Sequence, residues 1–300
     1  IYILEIFVSL SRGSVLHIIP TKESAFPADL VNFLLKNSVT FIFWVPTIMV
    51  NISNLKILDS IKLSKLKKIF FAGEVFPAKH LNYWRVKLPD AQFVNLYGPI
   101  EIAVDCTYYI VNRFFEDGES VPIGIPCRNT DIIILDKNNK SAKEGEQGEL
   151  CVRGSSLSLG YFNNLNQTNK VFVQNPLNKF YPEKIYRTGD LVYQNTQGEI
   201  MFIGRKDFQI KHMGYRIELL EIELAVLSLQ EVKNACIIYN SALKHIIMVF
   251  ESDRDLSDMS IRQKLSSKLP KYMFPTKMHR IESIPRNANG KIDRQKLLLE

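Results

Sequence analysis

Four short polar words along the chain carry the residues able to do chemistry. Asn95-Leu96-Tyr97-Gly98-Pro99-Ile100-Glu101 closes an apolar run and offers an aromatic face, a flexible turn and a carboxylate. At the carboxyl end of a parallel strand, that set suits a nucleotide base and a metal ion. Tyr186-Arg187-Thr188-Gly189-Asp190 reads as a glycine turn followed by a second acid. A lone carboxylate there can accept from both hydroxyls of a ribose. Gly204-Arg205 adds a cation with several donors in a fixed fork. Asn289-Gly290-Lys291-Ile292-Asp293-Arg294 sets a lysine beside a glycine turn. Taken singly, each word also has a structural reading: Tyr97 as a half-buried aromatic, Asp190 as a turn residue, Lys291 as a solvated lysine.

The elements that must position these words show in the apolar periodicity. Ser14–Ile19, Val39–Trp44, Lys68–Phe71 and Gln92–Leu96 read as buried strands, with helices over Ala28–Lys36 and Pro77–Lys87 between them. Strands alternating with helices predict a parallel α/β sheet over about 1–120. From about 121 to 205 the texture turns to strands and turns, with strands over Asp131–Leu135, Glu149–Arg153 and Glu199–Ile203, and a small β-barrel is expected. After Arg205 the pattern is α+β. Helices are expected over Glu218–Leu229 and Ser260–Leu269, and paired strands over Cys236–Tyr239 and His245–Glu251. The fold class is therefore α/β: the carboxy-terminal part of a large domain over 1–205, followed by a small α+β domain over 206–300.

Composition narrows the class of partner. The 300 residues are 46% hydrophobic and 23% charged, ordinary for a globular chain able to bury a core. The net charge of +7 and pI near 9.1 come from cations scattered between Lys22 and Arg294, so they read as a solvated surface and not as a nucleic-acid footprint. Cys106, Cys127, Cys151 and Cys236 form no CxxC pair, which argues against zinc and for a reducing compartment such as the cytoplasm. No apolar run approaches the length of a membrane span. The opening IYILEIFVSL carries Glu5 and no basic leader, so it is not expected to be a signal peptide, and it enters mid-pattern at Ile1.

Together and in order, the words resemble the adenylate-forming superfamily of acyl-CoA synthetases, luciferases and amino-acid adenylation domains. The matching stretches are Phe71-Ala72-Gly73-Glu74, NLYGPIE at 95–101, GELCVRGSSLSLGY at 148–161 and YRTGDL at 186–191. GRKDFQIKHMGYRIELLEIE at 204–223, LPKYMFP at 269–275 and NGKIDR at 289–294 complete them. The resemblance covers essentially the whole chain. Its wording is nearest to amino-acid adenylation domains and D-alanine–carrier-protein ligases, and it implies that the amino-terminal half of the family domain is missing here.

The resemblance implies the following roles. Tyr97 stacks on adenine, framed by Gly73, Glu74, Asn95, Leu96 and Gly98. Asp190 holds the ribose, helped by Arg205, and Glu101 is the ligand for Mg2+. Lys291 reaches the α-phosphate and the substrate carboxylate of an ATP-dependent reaction, where a mobile point charge can neutralise both reactants. Asp207 is the hinge about which the small domain swings, and Lys211 and Gly214 face the site when a pantetheine thiol enters. Leu4, Phe43, Phe70, Ala72, Leu96, Val104 and Asp105 would line a small, mostly apolar substrate pocket. The acid that usually meets the substrate amine would fall before Ile1, leaving Asp105 to take over that pairing or to contact a polar side chain.

Three departures from the family pattern stand out. The glycine- and serine/threonine-rich phosphate loop is absent from these residues, Ile100 stands where the family has threonine, and Leu220 replaces a glycine or polar residue. Losing a hydrogen bond to a phosphate at Ile100 is expected to cost about 1.5–3 kcal/mol. The leading expectation is activation of an amino acid, D-alanine among the candidates, and its transfer to a carrier-protein phosphopantetheine arm. An acyl-CoA synthetase using coenzyme A is the second reading. The third is a truncated non-catalytic remnant, and adenylation by these 300 residues alone is not expected.

Overall fold

The computed structural model describes residues 2–212, 215–240, 243–287 and 290–299. The chain divides into two units: residues up to Phe76, His80–Phe114 and Val121–Phe202 form the first, and Pro77–Lys79, Phe115–Ser120 and Ile203 onward form the second.

The first unit opens with helix α1 (Tyr2–Ser11) and the single turn α2 (Thr21–Ser24). Ser14–Ile19, expected as a buried strand, is irregular and largely solvent-facing, with Val15 78% and Ile18 83% exposed. Its β-branched composition suits a pleat, but among the described residues no strand lies alongside to pair with it, and propensity alone does not make a strand. Helix α3 (Pro27–Lys36) starts on proline, whose fixed φ suits a first helical position, and buries Leu30, Val31 and Leu34 on one stripe. The Asn37 side chain ends it by donating to the Phe33 carbonyl at 2.9 Å.

β1 (Phe41–Trp44), helix α4 (Pro46–Asn54), β2 (Lys68–Ala72), helix α5 (Ala78–Lys87) and β3 (Gln92–Tyr97) follow as repeated strand–helix units. β1, β2 and β3 run parallel, with Phe43 beside Phe70 and Ala72 beside Leu96. The two helices are stitched together beside them: the fully buried Trp84 donates its indole N–H to the Met49 carbonyl at 2.9 Å, and His80 Nδ1 lies 3.0 Å from the Ser53 hydroxyl. β4 (Thr107–Ile110) and β5 (Ile125–Pro126) then extend the sheet in antiparallel fashion, giving the order β1-β2-β3-β4-β5.

A second, antiparallel sheet contains β6 (Thr130–Leu135), β7 (Gly148–Gly154), β8 (Phe172–Gln174), β9 (Lys184–Gln194) and β10 (Ile200–Arg205), with helix α6 (Leu165–Val171) leading into β8. Leu150, Val152, Tyr186, Val192 and Ile200 form its core, together with Ile102 and Cys106. The second unit holds the hairpin β11 (Gln209–His212) and β12 (Tyr215–Glu218), helix α7 (Leu219–Leu227), β13 (Asn234–Asn240), β14 (His245–Glu251), helix α8 (Asp258–Leu265), β15 (Lys277–Arg280) and helix α9 (Arg294–Leu299). Ile222 and Val226 of α7 pack with Ile237, Ile246, Met248, Ile261 and Leu265 in its core.

Candidate nucleotide and acyl site

The carboxyl ends of β2 and β3 deliver the first group of site residues. Beyond Ala72 the chain turns at Gly73, with φ of +90°, into Glu74. The Glu74 carboxylate accepts from the Thr47 hydroxyl at 2.6 Å and the Thr47 backbone N–H at 3.2 Å, so it sits at the amino end of α4, where unpaired N–H groups favour an anion. Asn95 is buried and donates to the Pro122 carbonyl at 2.8 Å, fastening the segment that leads to β5.

Gly98 lies where two stretches of backbone touch. A Cβ there would stand 2.4 Å from the Asp105 Cα and 2.5 Å from the Val104 carbonyl oxygen, which only glycine avoids. The Cys106 N–H closes the approach by donating to the Tyr97 carbonyl at 2.7 Å. Inside the loop, Ile100–Ile102 makes a tight 3-10 turn that leaves Ile100 81% exposed. Ala103 follows at φ 77° and ψ −68°, a γ-turn with the Val104 N–H donating to the Ile102 carbonyl at 3.2 Å. That conformation strains a residue bearing a Cβ by about 1–3 kcal/mol.

Tyr97 and Asp190 meet directly. The Tyr97 hydroxyl donates to the Asp190 carboxylate, and the Tyr97 ring lies 6.2 Å from that of Phe202. Burial, followed by the Asp190 charge, raises the Tyr97 phenol well above its ordinary range, so it remains a neutral donor. Asp190 lies within a strand and not after a free turn as its sequence suggested. β9 bulges, passing from Arg187 to Leu191 while β7 moves only from Cys151 to Glu149. The bulge is held by the Thr188 hydroxyl, which donates to the Leu150 carbonyl at 2.7 Å and accepts from the Asp190 N–H at 3.0 Å. Beneath it Arg187 pairs with the buried Glu149 at 2.5 Å. Extra backbone in a ladder re-aims a side chain, and here the re-aimed side chain is the carboxylate.

Glu101 receives the Tyr161 hydroxyl on one carboxylate oxygen at 2.5 Å. Burial and the Glu101 charge raise the neighbouring Tyr186 phenol far above its ordinary value. Leu4, Phe43, Phe70, Ala72 and Leu96 gather in one apolar cluster with Phe41, Val94 and Tyr108. Phe70 stands edge-on to Phe41 and Phe43, with ring centroids 5.0 and 6.4 Å away. Val104 is half-buried outside that cluster. Asp105 has a buried carboxylate oxygen without a hydrogen-bond partner, and burial pushes its pKa up to about 7.

The remaining sequence-marked residues belong to the second unit. Arg205 ends β10. Asp207 lies in the 3-10 turn Lys206–Phe208 between β10 and β11, and Lys211 lies in β11 opposite Arg216; only the backbone of each is described. Gly214 and Asn289 lie outside the described residues. Lys291 is exposed on a turn closed by Asn287, which accepts from the Lys291 N–H at 3.1 Å and donates its own N–H to the Lys291 carbonyl at 2.8 Å. Next to it Arg294 grips both oxygens of the buried Glu223 at 2.8 and 2.6 Å, and Glu223 also accepts the Ile237 N–H. The turn bearing Lys291 is thereby tied to α7.

A model of the AMP-binding enzyme family matches residues 2–162, more than half of the chain. The chain belongs to the AMP-binding enzyme family, within the adenylate-forming superfamily its motifs resemble. Tyrocidine synthase 3 of Brevibacillus parabrevis is 35% identical to it over 98% of this chain and 4% of that protein. Bacitracin synthase 3 of Bacillus licheniformis is 33% identical over 98% of this chain and 5% of that protein. Among solved structures, Klebsiella oxytoca NpsA in complex with 3-hydroxyanthranilyl-AMSN superposes with a TM-score of 0.81 at 22% identity, covering 94% of this chain and 57% of that one. Holo-AB3403, a four-domain nonribosomal peptide synthetase bound to AMP and glycine, gives 0.79 at 26% identity, covering 94% and 21%. The chain thus spans only a small fraction of the synthetases it matches.

The donor set also bears on the Mg2+ that an AMP-binding enzyme implies. Among the described residues no three His, Cys, Asp or Glu side chains gather around a common point. A single carboxylate such as Glu101 fits an ion that keeps its waters and is shared with nucleotide phosphates, which is how Mg2+ is ordinarily held. Sequence reasoning missed Thr47, Tyr186 and Phe202 as neighbours of Glu74, Glu101 and Tyr97. Tyr161 closes the GELCVRGSSLSLGY word, and that was the available signal for it. Among the described residues no helix is long and apolar enough to cross a membrane.

Proposed function

We propose that this chain takes part in ATP-dependent activation of an amino acid as an aminoacyl-adenylate, followed by transfer to the phosphopantetheine thiol of a carrier protein. The observation that carries this reading is Asp105. Burial makes this carboxyl costly to ionise, so it either keeps its proton or meets a cation, and the α-ammonium of an amino acid supplies one. Asp105 precedes β4, whose Tyr108 packs on the apolar cluster of Leu4, Phe43, Phe70, Ala72 and Leu96, so an amine contact adjoins apolar surface suited to a side chain. The edge-on Phe41, Phe43 and Phe70 favour a small side chain, with D-alanine among the candidates.

In this reading the Tyr97 ring stacks on adenine and Asp190 accepts the ribose hydroxyls, releasing its bond from Tyr97. Gly73, Glu74, Asn95, Leu96 and Gly98 shape the base pocket, and Arg205 assists at the ribose. The substrate carboxylate attacks the α-phosphorus, pyrophosphate departs, and Lys291 neutralises the charge that builds on the oxygens. Glu101 would hold Mg2+, which offsets phosphate charge when bound. The thiol then attacks the acyl carbon and AMP leaves, with Lys211 and Gly214 facing the reaction after rotation about Asp207. Pyrophosphate exchange by the full-length protein across a panel of amino acids, with D- and L-alanine and a set of aryl and fatty acids, tests the reading. Exchange with an amino acid is expected; exchange with aryl or fatty acids alone would replace it by an acyl-CoA synthetase.

A further inference from the structure

Glu101 lies on a loop with little of its own to hold it. It sits in a single 3-10 turn, after the exposed Ile100 and before the strained Ala103. A second loop fastens it at two points. The Ser158 N–H donates to the Glu101 carbonyl at 2.8 Å, and the Tyr161 hydroxyl donates to the Glu101 carboxylate at 2.5 Å.

Tyr161 is placed by contacts other than Glu101. Its ring meets Phe172 edge-on, with centroids 6.0 Å apart. Its backbone N–H donates to the buried Thr168 hydroxyl of α6 at 2.9 Å, and that hydroxyl donates to the Asn164 carbonyl at 2.9 Å. Gly160, with φ of +141°, lets the loop press onto Thr168, since a Cβ there would stand 2.4 Å from the threonine methyl. Helix α6 is itself capped by Asn164, whose side chain accepts the Gln167 N–H. The hydroxyl is therefore held in place by helix, ring packing and backbone, and one Glu101 oxygen is bound to it.

We infer that Tyr161 is a positioning residue that fixes the Glu101 carboxylate for the metal–nucleotide complex. The inference rests on the reading of Glu101 as the carboxylate that meets Mg2+. A ligand whose rotamer is frozen before the ion arrives loses less freedom on binding, and partners that orient ligands typically contribute about ten- to a hundred-fold to metal affinity.

The experiment uses the full-length protein saturated with α,β-methylene-ATP and follows Mn2+ binding by the paramagnetic resonance of the free ion. AMP binding without metal, measured by calorimetry, runs in parallel. Tyr161→Phe keeps the ring and should weaken Mn2+ about tenfold while leaving metal-free AMP affinity unchanged. Glu101→Gln should weaken Mn2+ at least as much, and the double variant no further than Glu101→Gln alone. If Glu101→Gln weakens Mn2+ and Tyr161→Phe does not, the role of Tyr161 is overturned. If Glu101→Gln changes nothing, the reading of Glu101 is wrong and the inference fails with it. An equal loss of metal-free AMP binding in Tyr161→Phe would show a merely structural role. Should Tyr161→Phe fail to fold, Thr168→Val, which releases the Tyr161 backbone, decides: an unchanged Mn2+ affinity overturns the inference.

Discussion

The hydroxyl of Tyr97 donates to the carboxylate of Asp190 across a sequence separation of 93 residues, joining the end of β3 to the bulge of β9. In the proposed function both groups face one nucleotide, the ring meeting the base and the acid the ribose. Tyr97→Phe keeps the stacking face and leaves Asp190 without this donor, so AMP affinity should stay within about threefold while stability falls by about 1–3 kcal/mol. Tyr97→Ala removes the face and should weaken AMP by about ten- to a hundred-fold, since a stacked base is worth about 1–3 kcal/mol. Calorimetric titration and urea unfolding of the two variants check both halves.

Asp105 makes stability depend on pH. Its pKa rises from the ordinary 3.8 to about 7 on folding, through burial. Between those values the folded chain holds a proton that the unfolded chain has lost, so stability falls as pH rises through that window and levels off above it. The loss is up to about 4 kcal/mol. Asp105→Asn should flatten the curve, matching the parent near pH 4 and exceeding it near pH 8 in thermal unfolding. A parent curve with no fall across the window would refute the buried state of this carboxyl.

The Glu74 carboxylate, bound to Thr47 at the start of α4, behaves as a structural brace whatever else it contacts. Glu74→Ala should cost about 1 kcal/mol or slightly more, the usual loss for a helix-capping interaction. Denaturant midpoints at unchanged slope would report it.

Lys291 stands exposed on its turn, so Lys291→Ala should alter stability by less than about 0.5 kcal/mol. If it supplies the charge for adenylate formation, pyrophosphate exchange by the full-length enzyme should fall by at least about a hundred-fold. Exchange within tenfold of the parent would remove Lys291 from that role.

Asp207 tests the proposed rotation. Proline there would hold φ near about −65° and remove an N–H donor. Asp207→Pro in the full-length enzyme should spare adenylation and slow thiol transfer, measured as separate half-reactions. Equal losses in both would indicate general damage, and no loss in either would place the hinge elsewhere.

Much of this architecture was legible because its words sit where periodicity changes. The NLYGPIE segment follows an apolar run that becomes β3. The grouping of Phe43, Phe70, Ala72 and Leu96, by contrast, was implied by the family resemblance alone, since the register that sets Phe43 beside Phe70 and Ala72 beside Leu96 leaves no mark in the sequence. Ser14–Ile19 misled, since a β-branched run carries no sign of whether a neighbouring strand exists. Asp190 was recognised by its word, but glycine suggested a turn. Bulges depend on the partner strand, and Glu149 and Cys151 are far away in sequence. The contacts of Tyr161 and Tyr186 with Glu101 were hidden for the same reason: a loop hydroxyl, a strand hydroxyl and a carboxylate far apart in sequence leave no local pattern.

Gly98 bears on how descent with modification would treat this fold. Its place is dictated by the Asp105 backbone 2.4 Å from where a Cβ would be, a packing demand that persists whether or not any nucleotide is turned over. A lineage that abandoned catalysis would keep this glycine as long as it kept the fold, and its survival in a copied gene says nothing about activity. Lys291 is under no such steric obligation on its exposed turn. In gene copies drifting away from function, the lysine would be among the first to change and the glycine among the last.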